Sequence, residues 1–209
     1  MLKIYGRANS INVQKALWAA DECGLAYERT DIGGAFGGND QPWYRAMNPN
    51  GVVATIDDGG YTLWESNSIV RYFAATHAAG TLWPTDPKAR GDAERWMDWQ
   101  LSTIQGGMTT LFWGWIRTPP DKRDLDVMEK ARVATADLWC RLDGHLAGRA
   151  YVAGNHFTMG DIPAGAMAYR WFNLPFERAG LPATPHLRAW YDRLATRPAY
   201  QKHVMIKMT

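Results

Sequence analysis

The sequence predicts an α/β unit of order β-α-β-α-β-β-α over residues 1–78, followed by an all-helical unit over residues 86–209. Three observations carry this. Strand and helix signals alternate in the first part, helical spacing broken only by Pro and Gly fills the rest, and Leu82 to Pro87, with two prolines and no periodicity, separates them.

Leu2 to Tyr5 is a short strand, and Ser10 to Cys23 a helix with Val13, Leu17 and Ala20 on one stripe and Gly24 as its stop signal. Tyr27 to Ile32 reads as the second strand. Gly33 to Asp40, with four glycines, reads as a mobile surface loop before a short helical piece from Pro42 to Met47. Asn48-Pro49-Asn50-Gly51 is a turn. Val52 to Ile56 and Tyr61 to Trp64 flank Asp57-Asp58-Gly59-Gly60, a hairpin signal, and a helix from Ser66 to about His77 closes the unit. A mixed sheet whose last hairpin is antiparallel, in this order, is thioredoxin-like. Beyond the linker, Asp86 to about Ile116 is helical with Gly106-Gly107 as its weak point, ended by Pro119-Pro120. Leu125 to Leu146 carries Ala131, Ala134, Leu138 and Leu142 at helical spacing. Thr158 to Asp161 opens the next helix as a cap, and Thr184-Pro185 opens the last.

Composition narrows the function. The 209 residues hold 23 Lys plus Arg against 21 Asp plus Glu, with no dense run of either sign, which argues against a nucleic-acid or polybasic membrane binder. Apolar stretches such as Leu111 to Ile116 fall far short of the roughly 18 residues of a membrane span. The chain opens directly on a strand, with no basic leader before an apolar segment, so a cytoplasmic protein is expected. Cys23 and Cys140 make neither a disulfide framework nor a metal knuckle. The histidines are scattered and the glycine-rich loop lacks a phosphate-loop lysine, so neither metal nor nucleotide is expected.

In a thioredoxin-like unit the reactive group sits after the first strand, where the unpaired N–H groups of the first helix favour an anion. That segment here is Asn9-Ser10-Ile11-Asn12, without a Cys-x-x-Cys pair. A thiol brought by a bound cofactor would complete the site, its thiolate accepting hydrogen bonds from the Ser10 hydroxyl and the Asn12 amide. Ser10 as an ordinary helix cap is the alternative.

Residues 48 to 73, NPNGVVATIDDGGYTLWESNSIVRYF, closely resemble the glutathione-site signature of the glutathione transferase family. Ser10 matches the serine of that family's serine-type classes, and the helical second unit has the expected length. Asn12 resembles the asparagine that shares the thiol in some bacterial classes. The resemblance implies that Glu65 takes the α-ammonium of glutathione and that Ser66, with the helix-start N–H groups, takes its α-carboxylate. It implies main-chain pairing of Val53 with the cysteinyl unit. Where the family almost always has Val-cis-Pro, this chain has Val53-Ala54, so the peptide is either cis or a re-aimed trans bond. The family's glycyl-carboxylate lysine position holds Asp40, leaving Asn39 and Gln41, with Arg7 a further candidate. Phe157 to Ile162 resembles the family's capping box and staple.

The electrophile pocket is expected between the units, with Met108, Trp113 and Arg117 as lining; core packing or a subunit contact would equally explain the aromatic segment around them. Together these features predict a homodimeric enzyme that holds glutathione as a thiolate for attack on a small hydrophobic electrophile. A glutathione-dependent disulfide reductase or peroxidase would use the same site. A ligand-carrier or interaction module with weakened glutathione binding is the non-enzymatic alternative, supported by Ala54 and Asp40.

Overall fold

The computed structural model describes residues 1–209. Its sheet has the order β2-β1-β3-β4, built from β1 (Leu2–Tyr5), β2 (Tyr27–Thr30), β3 (Thr55–Asp58) and β4 (Tyr61–Trp64). β1 runs parallel to β2, pairing Leu2 with Tyr27, and antiparallel to β3, pairing Leu2 with Asp58; β3 and β4 form the hairpin. The thioredoxin-like order expected from the sequence is therefore the one that forms.

The third strand begins later than the apolar run suggests. The Val52 carbonyl is taken by the Tyr44 hydroxyl and the Asn48 amide, each at 2.8 Å, so it is unavailable to a ladder. Thr55 Oγ1 lies 2.9 Å from the same tyrosine and 3.0 Å from the same amide, and all three side chains are buried or nearly so. The polar knot holds residues 52–54 as a bend whose Val53–Ala54 peptide is cis, and pairing starts only at Thr55.

The helices α1 (Ile11–Glu22), α2 (Pro42–Met47) and α3 (Ser66–His77) complete the first unit. One stripe of α1 was expected inside; nine of its 12 residues are buried. The reason is that α1 packs against α3 on one side and, on the other, against α7 (Asp161–Asn173) and α9 (Pro198–His203) of the helical unit. Trp18 stacks on Phe157 with ring centres 5.6 Å apart and meets Tyr200 edge-on at 4.7 Å, while Glu22 pairs with Arg197. The two units share one core.

The remaining helices are α4 (Pro87–Trp99), α5 (Gln105–Phe112), α6 (Leu125–Leu146) and α8 (Pro185–Ala195). Between α4 and α5 lies a π-helical turn, Gln100–Ile104, and a second, Trp113–Arg117, follows α5. Gly106-Gly107 does not break this rod. At Gly107 a Cβ would stand 2.1 Å from Thr135 Oγ1, so the glycine admits the close approach of α6 instead. Thr184-Pro185 opens α8, which is not the last helix: the chain breaks at Pro198, which lacks an N–H, and restarts as α9. Of the expected Thr158–Asp161 cap only the carboxylate half forms: Asp161 accepts from Thr158 N, Val152 N and Trp190 Nε1, each at 2.9 Å, while α7 itself begins at Asp161 with Gly160 at its N-cap and no side-chain cap.

Candidate active site

The two helix starts on which the sequence places its chemistry come together at the junction of the units. β1 is followed by Gly6, where a Cβ would fall 2.4 Å from Val13 Cγ2 and 3.1 Å from Val53 Cβ. Only glycine lets the strand pass this close beneath the bend at Val53 and turn, at φ 147°, toward α1. Ser10 then occupies the N-cap of α1 with extended backbone angles, yet its hydroxyl caps none of the helix N–H groups. At 8% exposure it faces a cavity of about 160 Å³ between the units, lined by Phe112, Trp113, Arg7, Arg117 and Arg170. Ser10 thus stands at the cap position without its hydroxyl serving as a cap.

At the start of α3 the chain turns through Glu65, whose φ of 70° is the only positive one on a non-glycine residue. Such a conformation costs on the order of 1 kcal/mol or more and tends to cluster where a ligand is held. It leaves the Glu65 side chain exposed while Ser66 is buried beside it. The Ser66 hydroxyl donates to Asn12 Oδ1 at 3.2 Å, which joins the first turns of α1 and α3. Asn12, expected to share the thiol with Ser10, instead bonds at the start of α3 with the Glu65-Ser66 pair, whereas Ser10 opens toward the cavity.

Directly behind this pair lies a group that sequence inspection missed. Lys15 is wholly buried on α1, its Nζ donating to Asn67 Oδ1 at 3.0 Å and to Gln100 Oε1 at 3.3 Å. Asn67 also donates to the Met97 carbonyl at 2.8 Å, so α1, α3 and the end of α4 meet at one polar node. Burial pulls the Lys15 ammonium down to about 7, with Glu65 opposing the shift and Arg170 adding to it. Its spacing was the available signal: Lys15 follows Ile11 by four residues on a helix whose inner face must be covered.

The cavity wall corrects one expectation. Met108 does not line this cavity; it is 1% exposed and belongs to the helical core. The row that faces the cavity is Gln105, Thr109, Trp113 and Arg117, one residue out of register with Met108 and repeating every four. Trp113 and Arg117 both line this cavity. Arg170, on α7, was not anticipated. Its guanidinium lies 3.7 Å from the centre of the Phe112 ring, and burial together with Arg117 and Arg7 pushes it down to about 9.

Of the two residues expected at the glycyl end, Asn39 is committed to the Gly51 carbonyl at 2.7 Å, and Gln41 is exposed, donating to Asp40 Oδ1 at 3.4 Å. Arg7 lies across the glycine-rich loop, close against Gly33 and Gly34. No group of three or more His, Cys, Asp or Glu side chains is gathered as metal ligands would be. Cys23, at the far end of α1 from Ser10, has its thiol pushed up to about 11 by burial and by Glu22, so it is no nucleophile at neutral pH.

Residues 1–75 match the family model described as "Glutathione S-transferase, N-terminal domain", and residues 107–198 match "Glutathione S-transferase, C-terminal domain". The chain is 38% identical over 213 residues to glutathione S-transferase GstB of Escherichia coli, covering 100% of both proteins. It is 31% identical to glutathione S-transferase 3 of Zea mays, covering 97% of this chain and 93% of that protein. Among solved structures, the theta-class glutathione S-transferase of Xanthomonas axonopodis pv. citri with glutathione bound superposes with a TM-score of 0.95 at 52% identity, covering 100% of this chain and 99% of that one. With two family models, full-length relatives and a solved structure in agreement, the chain belongs to the glutathione S-transferase family.

Proposed function

We propose that this protein is a glutathione transferase that conjugates the glutathione thiolate to an electrophile with an apolar body. The observation that carries this is the Ser10 hydroxyl, unspent as a cap at the N-terminus of α1 and open to the cavity between the units. Glutathione would lie across the two helix starts. Glu65 takes its α-ammonium; Ser66, Asn12 and the first N–H groups of α3 take its α-carboxylate; the Val53 main chain pairs with the cysteinyl unit, and Asn39 and Gln41 stand at the glycyl end. The thiol then rests at Ser10.

A free thiol titrates near 8.5, and each unit of depression needs about 1.4 kcal/mol of preference for the thiolate, which one charge-assisted hydrogen bond supplies. The thiolate sulfur attacks the electrophilic carbon and the leaving group departs with its electron pair. No covalent enzyme intermediate is needed; positioning and thiolate stabilisation account for the rate. A homodimer and a cytoplasmic location belong to the same proposal, and no helix is long and apolar enough to cross a membrane.

Ser10→Ala tests the assignment. The variant is expected to raise the pKa of bound glutathione, followed as thiolate absorbance, by about one unit, and to lower kcat by roughly 10²-fold. Unchanged turnover with an unchanged thiol pKa would remove Ser10 from the mechanism. Calorimetry with glutathione on Glu65→Ala locates the peptide, since binding is expected to be lost there, and light scattering reports the dimer.

A further inference from the structure

Three guanidinium groups from distant parts of the chain line the cavity beside Ser10, and no carboxylate side chain answers them. Arg7 follows β1, Arg117 ends the second π-helical turn, and Arg170 projects from α7. Seven arginines elsewhere sit within ion-pair distance of an Asp or Glu; these three do not. Arg170 has only the Phe112 ring face for company, at 3.7 Å. Arg117 lies 5.1 Å from the centre of the Trp113 ring and donates to the main-chain oxygen of Thr209, the last residue, at 3.1 Å, which leaves Arg7 and Arg170 as the two without such a partner. Gathering like charges at a partly buried wall is costly unless something of opposite sign completes the set, and no Asp or Glu side chain lines this wall.

We propose that the electrophile carries an anionic group, a carboxylate, seated among Arg7, Arg117 and Arg170, with its apolar body against Phe112 and Trp113. This rests on the transferase assignment and adds the substrate class to it. The cavity of about 160 Å³ suits a single ring, since a dry engineered cavity of roughly 150 Å³ takes benzene. The carboxylate is not consumed: the thiolate sulfur bonds to the carbon bearing a halogen, the carbon–halogen bond breaks, halide leaves with the electron pair, and the thiol proton goes to water. The arginines orient the reacting carbon toward Ser10 and favour an anion over its neutral analogue.

The test compares 4-chloro-3-nitrobenzoate with 4-chloro-3-nitrobenzamide, alike in ring and leaving group, as substrates with glutathione. Calorimetry with 3-nitrobenzoate and 3-nitrobenzamide, which lack the leaving group, reads binding alone. The benzoates are expected to be favoured at least about tenfold in kcat/KM and in affinity. That preference should collapse toward unity in Arg117→Met and Arg170→Met and persist in Arg170→Lys. Equal binding of the two nitro compounds overturns the proposal, as does benzoate binding that neither methionine variant weakens. It also falls if the arginine variants raise the KM for glutathione and depress both electrophiles alike, for then the arginines serve glutathione itself. If neither chloro compound is conjugated while arginine-dependent benzoate binding remains, the anion site stands and the transferase assignment fails.

Discussion

Replacing Lys15 by methionine converts the buried ammonium into a measurable slope. In the folded protein Lys15 titrates near 7, against an ordinary value of 10.5. Between those values the unfolded chain holds a proton that the native state has released, so raising the pH stabilises the native state. The penalty is fully present below about pH 7 and fades as the pH approaches 10.5. Integrated from pH 7 to pH 9, the native wild type gains about 2 kcal/mol over a chain without this group. For a protein of this length that corresponds to roughly 4–8 °C in Tm. Losing the hydrogen bonds to Asn67 and Gln100 adds an offset; the stronger donation of the ammonium over the neutral amine is already contained in the folded-state titration of Lys15, so the pH slope reports that titration. The assay is thermal unfolding of wild type and Lys15→Met at matched pH values from 7 to 9. Wild type is expected to gain on the variant steadily across that range. Parallel curves would mean that Lys15 keeps its proton in the fold and that burial does not govern it.

Other outcomes follow from the same packing. Glu65→Gly relieves a positive φ and is expected to raise Tm by a few degrees, from about 1 kcal/mol, while abolishing glutathione binding; scanning fluorimetry with and without glutathione reads both. Asp161→Ala strands three buried donors, so a loss of about 3 kcal/mol and a Tm lower by roughly 6–12 °C are expected on a thermal melt. Gly107→Val drives side-chain atoms into Thr135 and should destabilise by about 1–3 kcal/mol, read as a lower midpoint in urea.

The parts of the site legible in the sequence are those whose geometry is local. Ser10 and the Glu65-Ser66 pair each sit where a strand gives way to a helix, and a few adjacent residues determine such a junction. Lys15 follows Ile11 by four residues, but that spacing alone does not say that both sides of α1 are covered; this follows from contacts with α7 and α9. Arg170 reaches the cavity only through the packing of the helical unit, so no local pattern could associate it with Arg7 and Arg117. Met108 was chosen for its apolar character, but cavity and core share one helix, and a single residue of register decides between them. The late start of β3 reflects Tyr44 and Asn48 capturing the Val52 carbonyl, a competition that strand propensity does not weigh.

Because α1 is a wall common to both units, the thioredoxin-like part is not a portable cassette. Cut free after α3, it would present Trp18 and the inner flank of α1 to water and lose the Arg197 anchor on Glu22. A chimera that grafts a foreign helical unit onto this one must therefore supply counterparts of Phe157, Arg197 and Tyr200 before any pocket residue matters. Divergence of substrate range within this architecture is accordingly easier along the Gln105 to Arg117 row, which faces the cavity, than by exchange of whole units.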